Sequence, residues 1–358
     1  MASIFSRFIS KPSPSVLGID IGGSSVKIVQ LKKENGIAVL ETYGQLSLGP
    51  YGDKEVGQAV NLPAETIAEN LKDLIREANV TTNSAGIAIS FNKTLLTTVS
   101  LPRKEGKELQ TMINLEARKY IPVPVSEVQL DWFVIPDEEG KEKERNMKVL
   151  LVAVHNEALT HLERIVDRAA LAVSFYEIEI FSSIRAVVDE PTKPVMVIDI
   201  GAATTKVYIV QRGLVARSHS ISRGGQNVTK ALTQASSLGF AKAEQLKRDE
   251  GISETAPKPY NKDSVTLTYS SIFAEARRVL REFETKEKKV VTQVILTGGG
   301  GVTKKLKEYA GNFFDTNVTL ADPFQKTDAP AFMRPVLQEI GPEFAVAVGV
   351  ALRKLEEI

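Results

Sequence analysis

Asp20 ends an apolar run, Val16-Leu17-Gly18-Ile19, and is followed by Ile21 and the small-residue turn Gly22-Gly23-Ser24-Ser25; Lys27 begins the return run. A carboxylate at the end of a buried strand can hold a hydrated magnesium ion. Glycines at the next turn let backbone N–H groups approach a ligand closely, and successive N–H groups make an anion-binding concavity. The stretch therefore reads as a β-hairpin whose tip is nearly bare of side chains. Its chemistry is that of a phosphate cradle with a cation beside it.

The same device occurs a second time. Placing Asp199 on Asp20 puts Ile200 on Ile21, Gly201 on Gly22, Thr204 on Ser25 and Lys206 on Lys27 with no gap; Ala202, Ala203 and Thr205 fill the rest of the second turn. Such an internal repeat must be explained before anything else. Two hairpins facing each other across a cleft would grip a polyphosphate from both sides, with Asp20 and Asp199 each offering one ligand to the metal. A third turn, Gly298-Gly299-Gly300-Gly301, follows an apolar run at 290–296 and opens a helix. That position suits a nucleobase or phosphate packed on bare backbone. No Walker Gly-x-x-x-x-Gly-Lys-Ser/Thr stretch is present, so P-loop chemistry is not implied.

Composition narrows the classes. The 358 residues exceed one usual domain, so two lobes are expected. With 45 basic and 44 acidic residues the net charge is +1, and no basic patch is interleaved with aromatics, which argues against nucleic acid as a partner. There is no cysteine, which excludes disulfides, thiolate metal sites and a cysteine nucleophile. The three histidines, His155, His161 and His219, form neither a His-x-x-x-His pair nor part of a visible Ser–His–Asp set. No apolar run approaches the ~20 residues of a membrane span and no signal peptide is visible, so a cytoplasmic chain without a transmembrane segment is expected.

The elements that must hold these residues fall into a first lobe over 16–190, a second over 191–341 and a small-residue connecting helix over 342–358 that packs back on the first lobe. Residues 1–15 carry Ile4, Phe5, Phe8 and Ile9 on one helical face, a short amphipathic segment before Pro12 and Pro14. The first lobe continues with a strand at 36–43, a glycine-bearing loop at 49–57, a helix at 62–79 and a buried strand at 84–90. An α+β insert then occupies roughly 91–172, with a mixed-charge hairpin tip at 137–145. Gly224-Gly225 opens a helix in the second lobe, and Glu244 and Lys247 sit one helical turn apart, which by itself reads as a surface ion pair.

The order and spacing of the three glycine turns, with the final small-residue helix, resemble the actin-like ATPase superfamily. The resemblance implies an α/β actin-like fold of two ribonuclease-H-like lobes binding ATP and Mg2+. It also implies roles. Gly22, Gly23, Ser24, Ser25, Lys27, Gly201, Ala202, Thr204, Thr205, Lys206, Gly224, Gly225, Gly298, Gly299 and Gly300 join the two aspartates around the nucleotide. Glu244, in Ala243-Glu244-Gln245-Leu246-Lys247, would accept from ribose hydroxyls, and Lys247 would lie along the base. Glu179, at the helix leading into the second hairpin, is the residue to orient an attacking water; if it caps that helix instead, turnover is slow or nil.

The insert narrows the resemblance. Glu116-Ala117-Arg118-Lys119-Tyr120-Ile121-Pro122-Val123-Pro124, the stretch Glu127 to Trp132, Asp322-Pro323-Phe324 and the final Phe344 to Leu352 are similar to the PilM family of FtsA-like type IV pilus assembly proteins, over nearly the whole chain. An FtsA-type α+β insert subdomain is thereby implied. So is capture of the N-terminal cytoplasmic tail of PilN in a groove between insert and first lobe, which would place the chain at the inner membrane. Coupling through PilN and PilO, proximity to the pilus motor ATPases and self-association complete the expected partners. Ile113, Ala117 and Tyr120 share a helical face and are candidates to line the groove, or to pack on the insert's own sheet. Two other readings share the fold: a small-molecule kinase, for which no sugar-binding aspartate loop is evident, and an FtsA-like cell-division filament, for which a C-terminal amphipathic helix would be expected.

Overall fold

The computed structural model describes residues 14–137, 145–189 and 192–357. The amphipathic segment expected before residue 14, and most of the charged hairpin tip, lie outside them.

In the first lobe, β1 (Ser15–Ile21), β2 (Ser25–Glu34) and β3 (Ile37–Ser47) form an antiparallel meander. The helix α1 (Ala64–Glu77) and strand β4 (Ser84–Ile89) follow. Val16, Leu17 and Ile19 are all buried, as a central strand covered on both faces requires. α1 forms because Ile67, Leu71 and Leu74 recur on one stripe, and that stripe is buried.

The chain then leaves the main sheet through β5 (Thr94–Pro102), α2 (Gly106–Ala117), β6 (Val128–Val134) and β7 (Asn146–His155), which build a separate three-stranded sheet in the order β5-β7-β6. It returns through α3 (Asn156–Ala169), β8 (Ala172–Ile178) and α4 (Glu179–Val187). The five-stranded sheet reads β3-β2-β1-β4-β8. The expected insert, 91–172, is too long at its C-terminal side. Leu162, Ile165 and Val166 of α3 are buried in the core of the first lobe, so the separately packed part is about 94–155.

The second lobe repeats the pattern. β9 (Val195–Ile200), β10 (Thr205–Gln211) and β11 (Leu214–Ile221) form the meander. The helices α5 (Gly225–Ser236), α6 (Phe240–Glu250) and α7 (Lys262–Glu287) lead to β12 (Gln293–Thr297), α8 (Leu306–Ala310) and β13 (Asn317–Leu320). Its sheet order, β11-β10-β9-β12-β13, matches the first lobe position for position. One face of its sheet carries a core of its own, with Phe273 of α7 meeting Phe313, Phe314 and Tyr309, while the other, with Val197, Tyr208 and Ile295, joins the core of the first lobe.

The last helix, α9 (Arg334–Glu356), begins two turns earlier than Pro342, where the sequence suggested. Pro342 is tolerated inside it, and its carbonyl accepts from Gly298 N–H and Thr297 Oγ1, both at 2.9 Å. With its leading turn, 331–356 is the one stretch among the described residues long and apolar enough to cross a membrane. Its small-residue part is nonetheless core: Phe344, Ala347, Val348 and Ala351 are buried with the strands of the first lobe, while Phe332 and Val336 at its start are exposed.

Candidate functional site

Each hairpin is closed in the same way. In the first, Asp20 pairs across the ladder with Lys27, and Gly22 N–H donates to Ser25 O at 2.9 Å. In the second, Asp199 pairs with Lys206, and Gly201 N–H donates to Thr204 O at 3.0 Å. The residue repeat is thus a repeat of backbone geometry. Among the described residues, the amides of Gly23, Ser24, Ala202 and Ala203 donate to no protein acceptor, which leaves two unspent donors at each tip. Both tips border one cleft of about 210 Å3 between the lobes.

The third turn meets the second hairpin edge-on. Gly298 has φ +80°, and a Cβ there would lie 2.3 Å from Asp199 Oδ1. Only glycine allows that backbone shape and that approach together. Gly299 and Gly300 line the same cleft.

Two expected residues lie off the cleft. Thr205 is fully buried and its hydroxyl is spent on Arg223 O at 2.8 Å. Gly224 packs behind the second tip, where a Cβ would meet Gly201 O at 2.4 Å. It serves to seat α5 on the hairpin, with Gly225 N–H on Gly201 O and Gln226 N–H on Ala202 O. The donors of that helix N-terminus are consumed by protein carbonyls rather than left for an anion.

Glu244 and Lys247 are not the surface pair that spacing alone suggests. Both side chains are under a tenth exposed and they bond at 2.6 Å. Glu244 also accepts from Thr229 Oγ1 at 2.5 Å and Arg248 Nε at 2.8 Å. Burial pushes its carboxyl up, but Lys247, Thr229 and Arg248 outweigh burial and hold it below the usual glutamate range.

Glu179 heads α4 and does not cap it. Its Oε1 accepts from Phe91 N–H at 2.5 Å, and its Oε2 accepts from Lys206 Nζ at 2.7 Å. Lys206 reaches Asp199 Oδ2 as well, at 3.1 Å. Burial would lower the lysine, yet Asp199 and Glu179 keep it above its ordinary value and charged. Asp20 is raised to about 6, chiefly by burial, with Lys27 opposing. Among the described residues no three acidic or histidine side chains are arranged to hold a metal, and an ammonium sits against two of the three carboxylates. Asp20 itself carries no ion pair or hydrogen bond among the described residues and faces the cleft, and Mg2+ beside a polyphosphate takes no more than one or two carboxylates, so Asp20 with the phosphates is the set that would hold it.

Several cleft residues escaped the sequence reading: Gln45, Gly57, Asn92, Ser183 and Glu343. Gly57 belongs to the loop noted at 49–57, and Glu343 precedes the small-residue run, but neither has a repeat partner to mark it. In the insert, Ile113 and Ala117 are buried among Val99, Leu101, Val149 and Leu151. They support the insert's own sheet and cannot line a groove; Tyr120, beyond the end of α2, is exposed.

Comparison with known proteins agrees with this architecture. Among solved structures, the PilM-PilN type IV pilus biogenesis complex superposes with a TM-score of 0.81 at 25% identity, covering 96% of this chain and 99% of that one. MreB 5 of Spiroplasma citri bound to AMPPNP matches at TM-score 0.54 and 12% identity over 96% and 97% of the two chains, a likeness of fold. The cell division protein FtsA of Neisseria meningitidis serogroup B is 24% identical, covering 94% of this chain and 90% of its own length. The fold is thus that of the actin-like ATPases. The family model for type IV pilus assembly protein PilM spans residues 18–355, so the chain belongs to the PilM family of type IV pilus assembly proteins.

Proposed function

We propose that this chain is a nucleotide-holding platform of the pilus assembly machinery, with ATP seated between its lobes. The observation that carries the reading is the pair of hairpin tips with two unspent amides each, bordering one cleft with Asp–Lys pairs of identical register. Four N–H donors with nearby ammonium groups are the donor set a polyphosphate needs. The base and ribose would lie toward Gly298, Gly299 and Gly300, with Glu244 and Lys247 beyond them. Isothermal titration with ATP tests this: saturable binding that Gly23→Val abolishes is expected, and no heat at any concentration refutes it.

Slow hydrolysis fits this arrangement. Each oxygen of Glu179 already accepts one hydrogen bond, from Phe91 N–H and from Lys206 Nζ, which leaves an attacking water only the remaining lone pairs of a carboxylate held by protein donors. Turnover should be slow or nil, as phosphate release from saturated protein will report.

The partner reading extends the family. The likeness to a PilM-PilN complex supports PilN as the partner, through its N-terminal cytoplasmic tail, which would hold this chain at the inner membrane and couple it to PilO and the motor ATPases. Fluorescence anisotropy with a labelled PilN tail peptide, run with and without ATP, tests it; no binding in either state refutes the tail as the contact.

A further inference from the structure

Asp20, Asp199 and Glu179 stand at the phosphate end of the cleft; the two remaining acids that line it, Glu244 and Glu343, differ in the room they leave a ligand. Glu244 already serves three protein donors, Thr229 Oγ1, Lys247 Nζ and Arg248 Nε. A carboxylate has about four acceptor sites, so about one is left. Glu343, on α9, accepts among the described residues only from Gln45 Nε2 of β3, at 3.4 Å. About three of its acceptor sites remain. A nucleoside triphosphate can match such a carboxylate in few places. Its phosphates are acceptors of the same charge, so only sugar hydroxyls and base amino groups can donate.

Position decides between those donors. A Cβ on Gly298 would lie 2.3 Å from Asp199 Oδ1, which puts that glycine at the phosphate end. A Cβ on Gly299, one residue on, would lie 3.4 Å from Glu343 Oε2. Besides burial, the charges acting on Asp20 are those of Lys27, Glu179, Lys206 and Asp199. At the other end burial lowers the Lys247 ammonium, and the charges of Glu244 and Glu343 oppose it. Glu343 thus stands between the phosphate end and the Glu244–Lys247 pair, where a nucleotide carries its sugar.

We infer that Glu343 is the carboxylate that accepts from the ribose hydroxyls, and that it makes this cleft select nucleotides that carry them. The inference rests on the nucleotide reading above. Two neighbouring hydroxyls match the two oxygens of Glu343, as the one remaining site of Glu244 does not. Pro342, next to Glu343, is bonded to the third glycine turn, so the sugar is read where the lobes join.

The test is isothermal titration of the full chain with ATP, with dideoxy-ATP, which lacks both ribose hydroxyls, and with GTP, each in excess magnesium chloride. Wild type should bind ATP about tenfold or more tighter than dideoxy-ATP. Glu343→Ala should bring that ratio to within about twofold, and Glu343→Gln, which keeps one acceptor oxygen, should fall between. A wild-type ratio near one overturns the inference and leaves the nucleotide reading standing. So does a ratio that Glu343→Ala leaves intact; if that variant shifts the ratio of ATP to GTP instead, the carboxylate faces the base. Absence of wild-type binding to ATP overturns the nucleotide reading, and this inference with it. Circular dichroism melting checks that each variant is folded; should Glu343→Ala not fold, an undiminished ratio in Glu343→Gln overturns the inference in its place.

Discussion

Glu177 shows how one buried acid can tie distant parts of a chain. Its Oε1 accepts from Arg185 Nη2 at 2.9 Å and from Arg353 Nη1 at 2.8 Å; its Oε2 accepts from Ser182 Oγ at 2.5 Å and Arg185 Nη1 at 2.7 Å. Three elements, β8, α4 and α9, meet on this one carboxylate. Burial alone would raise its pKa, but the Arg185 hydrogen bond and charge, with Ser182 and Arg353, hold it below the usual glutamate value. A depressed carboxyl stabilises the fold above its unfolded pKa, and that stabilisation is lost as pH falls through the folded pKa. Thermal melts should therefore show Glu177→Gln losing least, relative to wild type, in acid below the unfolded value, and most near neutrality. Removing the carboxylate with Glu177→Ala leaves two arginines facing a void, at a cost of about 2–3 kcal/mol. A denaturation midpoint unchanged from wild type would mean the arginines re-pair with solvent at no loss. None of this was readable in sequence. The alternation around 173–179 marks a strand, but a partner 176 positions away leaves no local trace.

At the scale of elements, legibility follows locality. The hairpins were visible because all their determinants lie within eight residues and occur twice. The backbone geometry repeats as the letters do, down to the closing hydrogen bond. The insert's boundary was not visible, because α3 looks like any amphipathic helix and only its burial partner says which core it serves. The same limit hid the roles of Ile113 and Ala117, whose helical face had two possible neighbours. The small-residue run of α9 was legible in kind. Its reason is sharper in three dimensions: a Cβ at Gly349 would lie 1.9 Å from Ser182 O, so α9 and α4 approach backbone to backbone there. A close approach of this sort is rigid, since the obstacle is main chain rather than a side chain able to swing away. Gly349→Val should destabilise the protein by about 3 kcal/mol or more, lowering the melting temperature and soluble yield. Wild-type stability in that variant would show that the two helices can separate freely.

For the whole molecule, the question is what keeps two lobes closed on one ligand when the core of the first already reaches Val197, Tyr208 and Ile295 of the second. α9 packs in the first lobe while its Pro342 carbonyl is bonded to the third glycine turn of the second, so it joins the lobes at the floor of the cleft. Across the mouth the contacts are few and specific. Ala59 N–H, in the loop after β3, donates to Gln226 Oε1 of α5 at 3.0 Å. Gly57, in the same loop, has φ +90°, and a Cβ there would lie 2.7 Å from the Glu244 carboxyl carbon. Asn92 bonds Thr204 at 3.2 Å and Ser220 at 3.3 Å beside the second tip. Opening wide enough to release a nucleotide must break the Ala59–Gln226 bond and lift Gly57 from Glu244, whereas the floor need only flex. Because opening must break these contacts, removing one should act on release more than on capture. A neutral hydrogen bond contributes about 0.5–1.5 kcal/mol, which corresponds to a two- to tenfold faster release from Gln226→Ala. Gly57→Ala should go further, because the new methyl both strains the loop and pushes against the buried Glu244. Stopped-flow chase of a fluorescent nucleotide measures both. Faster release with capture rates near wild type is the expected pattern for a clasp. If instead both variants slow capture and leave release untouched, the loop shapes the entrance to the cleft, and the lobes are held shut from the floor by α9.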